Sequence, residues 1–270
     1  MPAGRQDRQE FDAAGRATRT VRNYVDGVVS ASTPDEDITV EMAYDAAGKL
    51  VTLTAKNPTT GDQVTRYVYG TAAGGITPAV HRNDLLRAEI YPDSDDTFTA
   101  TGPGVGTFGN GADGVYDRVE YLYNRLGEQV ERRDPQGTVH SLDYDGLGRL
   151  LHDRVTALGD GVDASVRRIS YQYEARGMVS RIASYDSPTP GSGTLLSEVA
   201  FAYDALGRLT VEQQEHLGAV SAGSPSVEHA YDTTATSGIL TKGGRPTSLQ
   251  YPSGRKLHFD YGAAGSADDR

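Results

Sequence analysis

A short tyrosine-led signature recurs along this chain, and it limits the possible folds more than any other feature. Tyr203, Asp204, Gly207 and Arg208 stand in the run Tyr-Asp-Ala-Leu-Gly-Arg-Leu, and Tyr144, Asp145, Gly148 and Arg149 in Tyr-Asp-Gly-Leu-Gly-Arg-Leu. Tyr44, Asp45 and Gly48 belong to Tyr-Asp-Ala-Ala-Gly-Lys-Leu, and Phe11 opens Phe-Asp-Ala-Ala-Gly-Arg. Looser copies start at Tyr123 (with Gly127), Tyr173 (with Gly177), Tyr231 (with Asp232) and Tyr261. Copies return about every 20 to 30 residues, and self-similarity at such a period marks a repeat architecture. Stacked repeats build a surface or a container more readily than a single catalytic pocket.

One unit can be read physically. Ahead of Tyr44, the residues Ile38, Val40 and Met42 alternate with Thr39, Glu41 and Ala43. The same alternation runs through Val119, Tyr121 and Tyr123, through Ile169, Tyr171 and Tyr173, and through Val199, Phe201 and Tyr203. A period of two with β-branched and aromatic residues predicts half-buried strands, with the tyrosines on the buried face. The signature Asp suits a turn in which its carboxylate accepts backbone N–H groups two residues on. Gly three residues later suits a left-handed position that closes a type I turn. Each copy therefore predicts a β-hairpin, and since a lone hairpin is marginal in water, the hairpins must pair edge to edge. In this reading the Asp caps its own turn and the signature Arg pairs with the Asp of an adjacent turn. The competing reading places saccharide hydroxyls on Asp and sugar rings on Tyr.

The fold class expected is all-β, a tandem hairpin array running through residues 1–270 as a single domain. A Gly-rich irregular loop or strand pair is expected at about 71–114, with Leu85 to Ile90 as the one candidate helical turn. Ser187 to Gly193 and Ala219 to Ser226 read as further soft stretches. The 32 glycines, about 12% of the chain against a usual ~7%, fit a protein made of turns. The core should be thin and formed by sheet faces.

Charge and motifs exclude several function classes. A net charge of −11 disfavours nucleic acid and anionic membrane surfaces as partners. No apolar run is long enough to span a membrane, and no signal peptide is visible at the start as written. The absence of cysteine removes disulfides and thiolate metal sites. Gly104, Gly106 and Gly109 match a dinucleotide fingerprint in letters alone, without the strand and helix it requires. The histidines lack paired ligand spacing, and His229 reads as a core or rim residue on the Tyr face. Asp93, Asp95, Asp96, Asp113 and Asp117 form the densest acidic patch; it lacks the EF-hand pattern and reads as a solvated loop, with adventitious calcium at Asp93–Asp96 as the alternative. No catalytic, cofactor-binding or metal residues are therefore expected, and no enzymatic activity.

The Tyr-Asp-x-x-Gly-Arg-Leu copies resemble the YD-repeat, or RHS-repeat, family, over roughly Phe11 to Gly265. That family includes bacterial Rhs polymorphic toxins, C subunits of insecticidal toxin complexes, and animal teneurins. The resemblance implies a spiralling strip of β-hairpins that curls into a hollow shell, enclosing a toxin in bacteria or serving adhesion in animals. It implies a secreted or cell-surface setting and, as partners, an encapsulated toxin or effector, further repeats of a longer chain, or a glycan or protein ligand. Toxin-bearing members end the repeats with a self-cleaving segment. Asp134-Pro135-Gln136-Gly137 is similar to a fragment of it, but more repeats follow and the tetrapeptide reads as a turn. An exposed aromatic patch of Phe98, Phe108 and Tyr116 would favour the binding-module alternative.

Overall fold

The structure, a computed structural model, describes residues 6–70, 82–102, 105–232 and 244–261. Every regular element among the described residues is a β-strand, and the pairings that follow are all antiparallel. The chain forms two compact units, one comprising Met1–His140 with Ala157–Gly161, the other Ser141–Thr156 with Val162–Arg270.

In the first unit, β1 (Arg8–Phe11), β2 (Ala17–Arg22), β3 (Ile38–Tyr44), β4 (Leu50–Ala55), β5 (Gln63–Tyr69) and β6 (Leu86–Ile90) pair in sequence order. A separate hairpin, β7 (Thr97–Gly102) with β8 (Val105–Gly109), intervenes before β9 (Arg118–Tyr123) returns to β6 and then pairs with β10 (Gln129–Arg133). Next come β11 (Val139–Tyr144) and β12 (Leu150–Ala157), joined by the turn at Asp145–Arg149. In the second unit, β12 pairs with β13 (Arg168–Tyr173), which pairs with β14 (Val179–Tyr185). The order continues through β15 (Leu195–Tyr203), β16 (Leu209–Glu215), β17 (Ser226–Tyr231), β18 (Pro246–Gln250) and β19 (Lys256–His258). Pairing of consecutive strands is what tandem hairpins demand, because each bare edge is covered by the next copy.

Two local expectations differ from what forms. Leu86–Ile90 is a strand rather than a helical turn, held in register by β5 on one side and β9 on the other. Its Ala88 and Ile90 carry the small core of the first unit with Val68, and tertiary pairing overrides the helix-compatible composition. On β3, Thr39 is fully buried while Ile38 is 42% exposed, the reverse of the alternation. Thr39 is tolerated inside because its hydroxyl donates to the Asp37 carbonyl at 2.8 Å.

The apolar core is thin, as the composition predicts. Its buried members among the described residues are Val21, Val68, Ala88, Ile90 and Val119 in the first unit and Ala183 in the second. Polar contacts between neighbouring hairpins must therefore supply much of the order.

Candidate functional site

The signature residues form a clamp that repeats from hairpin to hairpin. At Asp204, the side-chain Oδ1 accepts the N–H groups of Leu206 (2.9 Å) and Arg208 (3.0 Å). Gly207 N–H donates to the Asp204 carbonyl at 3.0 Å, and Gly207 sits at φ +83°, a left-handed value that glycine adopts cheaply. Asp204 Oδ2 then accepts Arg208 Nε at 2.6 Å, fixing the guanidinium plane. That plane lies 4.5 Å from the centre of the Tyr231 ring in the next hairpin. Tyr231 completes the link by donating its hydroxyl to the Leu209 carbonyl at 2.8 Å.

The same parts recur elsewhere. Arg149 pairs with Asp145 (Nε to Oδ2, 2.7 Å) and covers Tyr173 at 4.4 Å, while Tyr173 donates to the Leu150 carbonyl at 2.7 Å. Arg16 pairs with Asp12 and covers Tyr44 at 4.6 Å, while Tyr44 donates to the Ala17 carbonyl at 2.8 Å. Lys49 substitutes for Arg beside Asp45 at 3.7 Å and lies 5.0 Å from the Tyr69 ring. Tyr203 donates to the Val179 carbonyl at 2.8 Å and Tyr123 to the Leu86 carbonyl at 2.6 Å. Burial pushes the Tyr123 phenol up to about 12, which keeps it a donor at any physiological pH. Gly48 has a second role: a Cβ there would stand 3.0 Å from Arg16 Nη1, so glycine leaves the previous hairpin's arginine its path.

This geometry corrects one expectation. The signature Arg pairs with the Asp of its own turn, four residues back, and not with the Asp of an adjacent turn. The tight turn sets those two side chains together, and what the arginine gives its neighbour is a flat cationic face. The looser copies keep the backbone and vary the side chain. At Tyr123, Asn124 replaces Asp and accepts the N–H groups of Leu126 and Glu128, and Gly127 takes φ +85°. At Tyr173, Glu174 opens the turn closed by Gly177. Asp134–Thr138 is one more such turn, with Gly137 N–H donating to the Asp134 carbonyl. Tyr144 is half-buried at the end of β11, and Asp232 N–H bonds the Arg245 carbonyl. Residues 233–243 and those after Tyr261, including most of the last copy, lie outside the described residues.

Each clamp is modest, with a net ~1 kcal/mol for the hydroxyl bond and ~0.5–1 kcal/mol for the stacked cation. Repetition makes it matter. The turn carboxylates give a pH signature. Asp12, Asp45, Asp145 and Asp204 are all held below the usual carboxylate range, chiefly by the N–H of the residue four along. A lowered folded-state value means the stabilisation is fully present above the ordinary Asp value and is lost as pH falls through the folded one. The contribution of these carboxylates to the melting temperature should therefore be flat from neutrality to about pH 5 and drop below about pH 4. The combined Asp145→Asn, Asp204→Asn variant should show a shallower acid drop. A fall already complete at pH 5 would contradict this.

The insertion between β6 and β9 holds the remaining chemistry. Phe98 and Phe108 pack as a tilted pair with centroids 5.0 Å apart and cover Val68, Ala88 and Ile90. Arg87 and Arg118 lie 4.6 and 4.5 Å from the Phe108 ring centre. Tyr116 lies beneath Arg133 and Arg118, and burial pushes its phenol up. These aromatics are engaged with protein and do not form an open platform. Gly106 belongs to β8, where a Cβ would meet Phe98 Cζ at 2.5 Å; it is glycine for packing, while Gly104 lies outside the described residues. His229 is half-buried on β17.

Asp96 departs most from expectation. The acidic patch reads as a solvated loop, yet Asp96 is 0% exposed and paired with Arg118 at 2.6 Å. Nothing local to the run at Asp93–Asp96 reveals this, because Arg118 lies on β9, beyond the inserted hairpin. A cleft of about 440 Å³ also lies in the first unit, lined by Asp45, Lys49, Tyr67, Tyr69, Asn83 and Phe98 among others.

By fold and by clamp, the chain is an all-β hairpin-repeat protein. No family model matches it, and no curated protein matches it. Among solved structures it is similar to the crystal structure of TcdB2-TccC3 without the hypervariable C-terminal region, at 14% identity, TM-score 0.32, covering 91% of this chain and 13% of that one. Intact TcdB2-TccC3 gives 13% identity, TM-score 0.31, and the same coverage of 91% and 13%. A Photorhabdus luminescens Tc holotoxin pore carrying a TccC3 mutation gives 14% identity, TM-score 0.32, 96% of this chain and 15% of that one. The chain thus spans 13 to 15% of the length of these proteins. No helix among the described residues is long and apolar enough to cross a membrane.

Proposed function

We propose that this chain is a non-enzymatic wall segment, a strip of β-hairpins that encloses or presents a toxin or effector within a secreted or cell-surface polypeptide. The observation supporting this reading is that the recurring Asp, Arg and Tyr are each consumed by the clamp. The Asp204 carboxylate is taken up by its own turn and by Arg208, and the Tyr231 hydroxyl by the neighbouring backbone. Side chains used this way, among the described residues, hold neighbouring hairpins together and are not free for a ligand. Thin cores and distributed polar locks suit a sheet extended by repetition.

The test is protection. In the full polypeptide that carries this array, an enclosed passenger should survive protease at ratios that digest the free passenger, and become sensitive once the array is unfolded. A passenger digested equally in both settings would overturn the reading. The aromatic-lined cleft beside Asp45 and Phe98 favours a second reading, a glycan- or partner-binding module. Loss of glycan or cell binding on Tyr67→Ala with an unchanged melting temperature would move the assignment to it.

A further inference from the structure

Independently of the wall reading, we infer that Asp95, Asp96 and Asp117 form a calcium site at the neck of the β7–β8 hairpin. One carboxylate oxygen from each of the three lies within 4.8 Å of the other two. Each carboxylate is held by a protein donor on one oxygen only. Asp95 Oδ2 accepts Ala112 N–H at 2.6 Å, Asp96 Oδ2 accepts Arg118 Nη1 at 2.6 Å and Asp117 N–H at 3.3 Å, and Asp117 Oδ1 accepts the Ser94 hydroxyl. The second oxygen of each has no hydrogen-bond partner among the described residues.

For Asp96 that vacancy is physically costly. Its side chain is 0% exposed, and its Oδ1 is buried with no hydrogen-bond partner among the described residues. A buried acceptor with nothing to accept from is destabilising, and more so when it carries charge. The local charge leans the same way. Three carboxylates crowd together, and Arg118, the cation paired with Asp96, is also engaged by Glu120 at 2.6 Å. A water could satisfy the orphan oxygen but would leave the excess negative charge; a divalent cation answers both.

The donor set selects the ion. All three ligands are oxygen and no His is among them, which suits a hard cation. Calcium accepts irregular oxygen geometry, whereas magnesium demands a near-ideal octahedron and keeps most of its waters, so three carboxylates gathered from two loops suit calcium better. Asp95 is exposed, so waters can complete the coordination shell. Three ligands and an open side point to an affinity on the order of 10⁻⁴ M or weaker, in the range of extracellular modules.

The placement gives the ion a structural task. Asp95 and Asp96 lie just before β7, and Asp117 lies just before β9, after β8 has ended. An ion there ties the entry of the inserted hairpin to its exit. Asp95 already reaches across this neck to Ala112, and a Cβ on Gly111 would stand 1.7 Å from Asp95 Oδ1, so the exit loop lies directly against the site.

The experiment is calorimetric titration of the chelator-stripped protein with calcium chloride, alongside thermal melts with and without calcium. A single saturable site and a higher melting temperature are expected. Asp95→Asn and Asp117→Asn should each weaken calcium binding by about tenfold or more, while Asp163→Asn, in the second unit, leaves it unchanged. These variants avoid disturbing the Asp96–Arg118 pair, and their melting temperatures without calcium report whether they fold. No saturable binding at millimolar calcium, or unaltered binding in both variants, would overturn the site. Magnesium bound as tightly as calcium would overturn the assignment of the ion.

Discussion

Arg118→Ala should destabilise the first unit by about 3–5 kcal/mol, the scale for removing one partner of a buried ion pair. Arg118 Nη1 is bonded to Asp96 Oδ2 at 2.6 Å and to Asn110 Oδ1 at 2.9 Å, while its Nε is bonded to Glu120 at 2.6 Å. Its plane also lies between Phe108, at 4.5 Å, and Tyr116, at 4.3 Å. Truncation leaves the fully enclosed Asp96 carboxyl without its cation partner, which costs far more than the pair itself contributes. Combining Arg118→Met with Asp96→Asn should therefore recover about half or more of the loss, because the uncompensated charge is gone. Urea unfolding followed by tyrosine fluorescence suits a chain with 16 tyrosines and no tryptophan. Hydrogen exchange should place the weakening at β6, β9 and the β7–β8 hairpin. A loss below about 1 kcal/mol for Arg118→Ala would mean that another group satisfies Asp96 in place of the arginine.

The fate of this pair illustrates what the chain's letters do and do not reveal. Turn chemistry is local, so the Asp caps, the left-handed Gly207 and the hairpin at each signature copy are legible from spacing alone. The strands follow from the period of two, and their antiparallel direction and consecutive pairing from the tight turns that join them. The clamp is legible only in part. Its Asp and Arg are visible, but their union within one turn and the arginine's cover over the next tyrosine depend on how neighbouring hairpins come together. The leucines just before the turn glycine stand in solvent: Leu126, Leu147 and Leu206 are 79%, 80% and 75% exposed at turn tips. Asp96 and Arg118 carry no sequence signal, because an inserted hairpin separates them and only the closure of β9 onto β6 unites them. Buried arginines in a thin-cored protein follow from the same shortage of apolar mass, since long side chains fill space that a few valines cannot.

Arg168 is the second such arginine, and Arg168→Met should cost about 2–4 kcal/mol while releasing the loop at 187–193. The residue is 3% exposed on β13, and its guanidinium lies 4.1 Å from the Tyr185 ring centre. It donates to the carbonyls of Ser187 (2.7 Å), Ser192 (3.0 Å) and Thr189, and to the Ser170 hydroxyl at 3.0 Å. Three carbonyls from one Ser/Pro/Gly-rich segment thus converge on a single planar cation, and a segment that composition marks as soft is latched to the sheet. Methionine keeps much of the volume and stem but leaves those carbonyls to water, so the loop loses its anchor more than the strand loses its packing. Lysine should rescue only partly, because a point charge cannot serve carbonyls spread around a plane or stack flat on Tyr185. In limited proteolysis, cleavage at 187–193 should rise by about tenfold or more in Arg168→Met, reflecting easier local opening. The corresponding rise in Arg168→Lys should be smaller. Cleavage elsewhere in the second unit should change only in proportion to its global stability, which separates an unlatched loop from general unfolding. If the loop stays protected in Arg168→Met, its order comes from its own turns, at Ser187–Thr189 and at Thr189–Ser192, and the arginine is only a passenger.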